Sequence, residues 1–137
     1  MRWHTFEVIG SPVPQGSKRT IVNPSGKVSV IESAGEKLGT WRQDVIGEAR
    51  KVLNGQGPIE GPVVLHVTFF VYTPKKPKSP LPITRPDLDK LERALLDALQ
   101  AAGMFRDDSQ VVSKVGKKRY AYDSAPRVHI AVGEEAS

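Results

Sequence analysis

Two aspartates two residues apart, Asp87 and Asp89, stand at the start of an amphipathic run, and two more, Asp107 and Asp108, follow just past its far end. Carboxylates gathered this way offer hard oxygen ligands, and enzymes that cut phosphodiesters use such ligands to hold Mg²⁺ against the scissile phosphate. The surrounding charge fits that chemistry. Residues 87–108 carry six acids against three bases, while the whole chain of 137 residues is +5, so the remainder holds 17 bases and 9 acids, a net of +8. A surface of that sign draws in a phosphate backbone. A plain DNA binder gains nothing from acids where phosphate must approach, because each unneutralised carboxylate repels it. Acid set within base points to a metal-dependent nuclease; the bland reading is acids that merely balance a surface.

The elements that must position these residues follow from periodicity. Trp3–Ile9 alternates apolar and polar residues and stops at Gly10-Ser11-Pro12, the pattern of a first strand. A Pro/Gly loop then ends in Lys18 and Arg19, and Thr20–Val22 and Val28–Ile31 flank Asn23-Pro24-Ser25-Gly26 as a projecting hairpin. Leu38, Trp41, Val45, Ile46, Ala49, Val52 and Leu53 recur at helical spacing, and Asn54-Gly55 ends that helix. Val63–Tyr72 is so apolar that it belongs centrally in a sheet. The stretch 73–86 mixes five prolines with Lys75, Lys76, Lys78 and Arg85, and reads either as a loop touching nucleic acid or as a solvated linker. Leu91, Ala94, Leu95, Ala98, Leu99 and Ala102 mark a second helix, with Asp89 and Glu92 as a capping box and Gly103 closing it. Val111–Val115 and Arg127–Val132 are the final strands. The expectation is an α+β fold in one domain, 1–133, with a mixed sheet, two main helices packed on it and the order βββαβαββ, then a frayed tail at 134–137.

The chain suits one domain, with no cysteine for a disulfide or thiolate zinc site, no signal-peptide pattern at its start and no membrane-length apolar run. A soluble protein of the cytoplasm is expected. His4, His66 and His129 are dispersed and read as ordinary strand residues.

Each acid also has a plain explanation. Asp89 alone reads as a helix cap, Asp107-Asp108 as a turn, and Arg93, four residues from both Asp89 and Asp97, as a surface ion-pair ladder. Spacing raises a further difficulty. The 13 residues from Leu91 to Gly103, at about 1.5 Å each, separate the two acidic pairs by roughly 20 Å. Either the segment after the helix folds back along it, or a partner subunit supplies Asp108.

From Arg85 to Val112 the sequence resembles the RusA family of Holliday-junction resolvases, marked by a run like Arg-Pro-Asp-Leu-Asp-Asn-Leu, a helix containing Leu-Asp-Ala-Leu, and then Asp-Asp-Ser-Gln-Val. Pro12–Arg19 is similar to the family's basic loop after its first strand. The resemblance implies a homodimeric endodeoxyribonuclease, dependent on Mg²⁺ or Mn²⁺, that cuts four-way junctions by paired symmetric nicks in recombination and repair, in bacterial or phage-infected cells. By position it implies Asp87, Asp89 and Asp108 as the essential carboxylates, with Asp107 beside them. The family's catalytic lysine falls on Arg93, which holds its proton at any ordinary pH, so Lys90 one turn earlier is the alternative ammonium. Lys18, Arg19, Lys75, Lys76, Lys78, Arg85, Lys114, Lys117, Lys118 and Arg119 are the expected DNA contacts. Two other readings compete: a non-catalytic branched-DNA-binding protein whose acids are caps, and a phosphotransferase or glycosyltransferase with Asp87 and Asp89 on a nucleotide-bound metal. The latter is disfavoured because no Gly-rich phosphate loop precedes a helix, so no nucleotide cofactor is expected. The dimer contact is expected at the strand 63–72 or around Trp41.

Overall fold

Alternating exposure along Trp3–Ile9 makes β1, with His4 and Val8 inside. The chain continues through β2 (Lys18–Val22), β3 (Val28–Glu32), α1 (Gly35–Leu53), β4 (Val63–Val71), α2 (Leu88–Ala102), one 3₁₀ turn (Asp108–Gln110), β5 (Val111–Tyr120) and β6 (Arg127–Glu134). This computed structural model describes residues 2–16, 18–22, 24–26, 28–32 and 35–135, without the side chains of 18–22 and 28–32. Asn23 of the expected hairpin turn, Ser17 of the basic loop and residues 136–137 of the expected tail lie outside that description, as do the side chains of Lys18 and Arg19.

The order βββαβαββ is realised, in one α+β domain. The main sheet runs β1-β6-β4-β5, with β4 parallel to β5 and the other neighbours antiparallel, so it is mixed; among the described residues β2 and β3 pair only with each other, in a separate antiparallel sheet. β4 is internal, as its composition demands, but it is not apolar on both faces. Val63, Leu65, Val67, Phe69 and Val71 point into the core, while on the other face Val64 is buried, His66 exposed and Thr68 and Phe70 half-buried, and among the described residues no helix covers that face. The helices pack on the other face, α1 against β1 and α2 against β5, and they also touch each other. Trp41 is 3% exposed and belongs to this core with Val45, Leu65, Phe69, Leu95 and Ile130. The Trp41 ring and the inward side of β4 are thus filled within a single chain.

Three boundaries differ from the sequence expectation. β5 extends to Tyr120 rather than Val115, because its main chain stays in register with all of β4 after an irregularity at Val63/Val64. α2 begins at Leu88, with Asp87 at the N-cap. The last strand runs one residue past 133, and the Glu135 N–H continues to the Pro62 carbonyl at 2.9 Å. Gly103 does close α2, at φ 87°, donating to the Gln100 and Leu99 carbonyls.

Because β4 and β5 are parallel, α2 must run back between them. Its start lies by the strands' C-terminal ends, where the Ala121 N–H bonds the Val71 carbonyl, and its end lies by their beginnings, where Ile59 bridges Phe105. No helix among the described residues is long and apolar enough to cross a membrane.

Candidate active site

The Asp87 backbone is extended (φ −73°, ψ 135°), and its carbonyl accepts the Leu91 N–H at 3.1 Å, starting α2 there. Its carboxylate makes no capping bond. Asp89 is the second helical residue, in the first turn where the helix dipole favours an anion. Both aspartates are exposed, and among the described residues neither carboxylate enters a hydrogen bond or an ion pair. The capping box expected from Asp89 and Glu92 is therefore not formed. Glu92 turns inward instead, buried beneath β5 with its Oε1 3.6 Å from the Lys114 ammonium. The space it occupies exists because residue 116 is glycine: a Cβ there would collide with Glu92 Oε2.

Two long-range contacts set this entrance in place. The Lys118 ammonium donates to the carbonyls of Thr84 (2.7 Å) and Pro86 (2.8 Å), on either side of Arg85. The Gln15 N–H donates to the Lys90 carbonyl at 3.0 Å, which brings the Pro/Gly loop onto the first turn of α2. Two stretches far apart in sequence thus meet at the acidic pair. The basic connector is also tied at its ends: Tyr122 N–H bonds Thr73 Oγ1 (2.7 Å), and Tyr122 O–H bonds the Pro80 carbonyl (3.3 Å). Between these ties Lys75, Lys76 and Lys78 are exposed.

At the far end of α2, Asp107 is the cap. Its carboxylate accepts the Ser109 N–H at 2.8 Å while the Gln110 side chain accepts the Asp107 N–H at 3.0 Å, a capping box around the 3₁₀ turn. Hydrogen bonding to Ser109, and then to Asp108, holds the Asp107 carboxyl below its ordinary pKa. Gln110 also donates to the Ile59 and Gly61 carbonyls, and Arg106 grips Glu60 through two nitrogens, so the turn is fastened to the chain before β4. Asp108 is exposed beside Leu96, Val112, Ser113 and Lys114, and its N–H donates to Gln100 Oε1 at 3.0 Å.

The turn does not fold back along the helix. α2 has 15 residues, about 22 Å at about 1.5 Å each, and the two acidic pairs stand at its opposite ends. Among the described residues no three His, Asp or Glu side chains come close enough together to hold a metal ion. Asp87 and Asp89 still suit one: Mg²⁺ is usually held by one or two carboxylates together with substrate phosphate and water, and these two have uncommitted oxygens open to solvent.

The remaining residues divide by partner. Arg93 is exposed and, among the described residues, pairs with neither Asp89 nor Asp97, so the surface ladder is absent. Lys90 is half-buried. Arg85 and Lys117 are exposed, Arg119 bonds the Lys118 carbonyl, and Lys114 faces Glu92. Sequence reasoning missed Glu92, Gly116 and Gln15. Glu92 carries a legible signal: it follows Leu88 by four residues and precedes Leu95 by three, inside the buried stripe.

A family model described as endodeoxyribonuclease RusA matches residues 10–133. The chain is also 31% identical over 142 residues to the uncharacterized protein YqaN of Bacillus subtilis (strain 168), covering 94% of each chain.

Proposed function

The chain belongs to the RusA endodeoxyribonuclease family, and from that premise we propose that it is a divalent-metal-dependent endonuclease that resolves four-way DNA junctions by paired symmetric nicks, in recombination and repair within the bacterial or phage-infected cytoplasm. The observation that carries this reading is the uncommitted pair Asp87 and Asp89, held at the mouth of α2 by loops from both halves of the chain. Asp87 and Asp89 would hold the ion, and Mg²⁺, or Mn²⁺ in its place, would supply neutralisation of charge at the scissile phosphate. Arg93 extends from the next turn. Its guanidinium stays protonated, so it stabilises negative charge developing on the phosphate and transfers no proton. Lys90 lies between, and Lys75, Lys76, Lys78, Arg85 and Lys117 meet the phosphates of the arms.

Asp108 completes the site from a second copy of the chain. A two-fold axis across the middle of α2 exchanges its ends, bringing one copy's Asp108 beside the other's Asp87 and Asp89. Val112, 59% exposed beside Asp108, supplies apolar surface for such a contact. Two composite sites related by that axis match two incisions on symmetry-related strands.

Incubation with an end-labelled four-way junction and with linear duplex, with and without Mg²⁺, tests the reading. Paired nicks in the junction alone, dependent on metal, are expected. Tight junction binding without cleavage in any divalent metal would instead make the protein a structure-selective binder.

A further inference from the structure

We infer that Lys118 is a positioning residue for the acidic motif and not a contact to DNA phosphate. It stands in a basic stretch, Lys117-Lys118-Arg119, where sequence alone makes all three equivalent. Strand alternation separates them. The helix side of β5 carries Lys114 and Gly116, both against Glu92, and then Lys118; Lys117 and Arg119 point to the uncovered face, opposite Thr68 and Phe70. An ammonium has three donors, and two of Lys118's are spent on the Thr84 and Pro86 carbonyls.

Those carbonyls need an outside partner. The chain from 73 to 87 has no regular structure and five prolines, which lack an N–H, so it cannot build a ladder of its own. Charged donors make the stronger hydrogen bonds, and a pair of them from a strand fixes the path of Thr84-Arg85-Pro86 immediately before Asp87. The main-chain carbonyl of Asp87 then accepts Leu91 N–H, so the aim of the Asp87 carboxylate and the start of α2 are set by one anchored segment. β5 thereby serves as the frame against which the acidic entrance is held.

The effect on metal use rests on the nuclease reading above; the effect on the chain does not. The comparison is Lys118→Met, which keeps the stem and removes the donors, against Lys117→Met, with Lys118→Arg as the charge-retaining control. In metal-free protein, Lys118→Met is expected to speed exchange of the Leu91 amide on the order of tenfold, the effect of losing one charge-assisted bond. The half-saturating Mg²⁺ for junction cleavage should rise on the order of ten- to hundredfold, as when groups that orient metal ligands are removed. The salt slope of junction binding should not move, whereas Lys117→Met lowers it by about one. A slope lowered by about one in Lys118→Met, with unchanged Leu91 exchange, overturns the inference. Should Lys118→Met fail to fold, Lys118→Gln, which keeps N–H donors without the charge, decides: an unchanged salt slope supports positioning, and a slope lowered by about one refutes it. Absence of cleavage by the wild type would remove the nuclease reading while leaving the exchange test intact.

Discussion

Neither Asp87 nor Asp89 caps α2 through its side chain, so stability and activity separate cleanly at these positions. Asp89→Asn and Asp87→Asn are expected to abolish junction cleavage yet change unfolding free energy by no more than about 0.5 kcal/mol, the range of surface substitutions. Wild-type turnover in either variant would remove it from the metal site. Asp107 should behave in the opposite way, because it is the residue that does cap: Asp107→Ala lowers the denaturation midpoint through the lost Ser109 N–H bond. Denaturant melts and turnover measured on the same three variants give that crossed pattern or refute it. Arg93→Ala should lower turnover more than binding, with Arg93→Lys retaining much of it, since the guanidinium pairs with neither Asp89 nor Asp97. At the other end of β1–α1, burial and then the Arg2 charge lower the pKa of His4, whose Nε2 accepts from Arg2 at 3.2 Å. Protons then favour the unfolded chain. Stability is full above the ordinary histidine value and falls as pH drops through the lower folded value; Glu60 and Asp107, also lowered, extend the loss into more acidic solution. Thermal melts from pH 7 to pH 4 should decline continuously, and His4→Gln should flatten the upper part of that decline.

Much of the element pattern was legible because it depends on local repetition. The helical spacing of Leu38–Leu53 and Leu91–Ala102, the stop at Gly103 and the order of strands all follow from neighbours along the chain. What was not legible depends on partners far away in sequence. Glu92 reads as a capping residue until Lys114 and Gly116 are placed above it, and Lys118 reads as a phosphate contact until the 84–86 carbonyls lie beneath it. The same applies to the capping box, which belongs to Asp107 and Gln110 because only the folded turn delivers Gln110 to Ile59 and Gly61. The α2–β5 contact makes a direct prediction. Gly116→Ala should destabilise by about 1–3 kcal/mol through overpacking against the Glu92 carboxylate. Paired with Glu92→Ala it should cost less than the sum of the two single changes; strict additivity in denaturant melts would show that the two residues do not meet.

At the scale of the molecule, the separation of the acidic pairs by the length of α2 bears on the proposed two-fold assembly. Sedimentation at micromolar concentration should give about 30 kDa, twice the 15.0 kDa of one chain, in keeping with the two-fold symmetry usual in homo-oligomers. Mixing Asp89→Asn protomers with Asp108→Asn protomers provides the sharper test. If each site draws Asp108 from the other copy, a mixed dimer contains one intact site and one doubly altered site, so two inactive proteins together nick one strand of a junction. If both acids come from one chain, every site in the mixture is damaged and no activity returns.

The sheet order has one further consequence, for how the chain is made. β6, the last strand in sequence, lies between β1, the first, and β4. On a ribosome, β1 must wait without its neighbour while more than a hundred residues follow, since nothing but β6 pairs with it in the main sheet. The β4–α2–β5 unit can assemble sooner, but the N-terminal edge joins only when synthesis has passed Arg127. Closure by such distant pairing is slow. A nascent chain therefore carries Asp87 for some forty residues before synthesis reaches Arg127 and the sheet behind it can close, and a message cut short before β6 yields a fragment in which β1 has no partner in the main sheet.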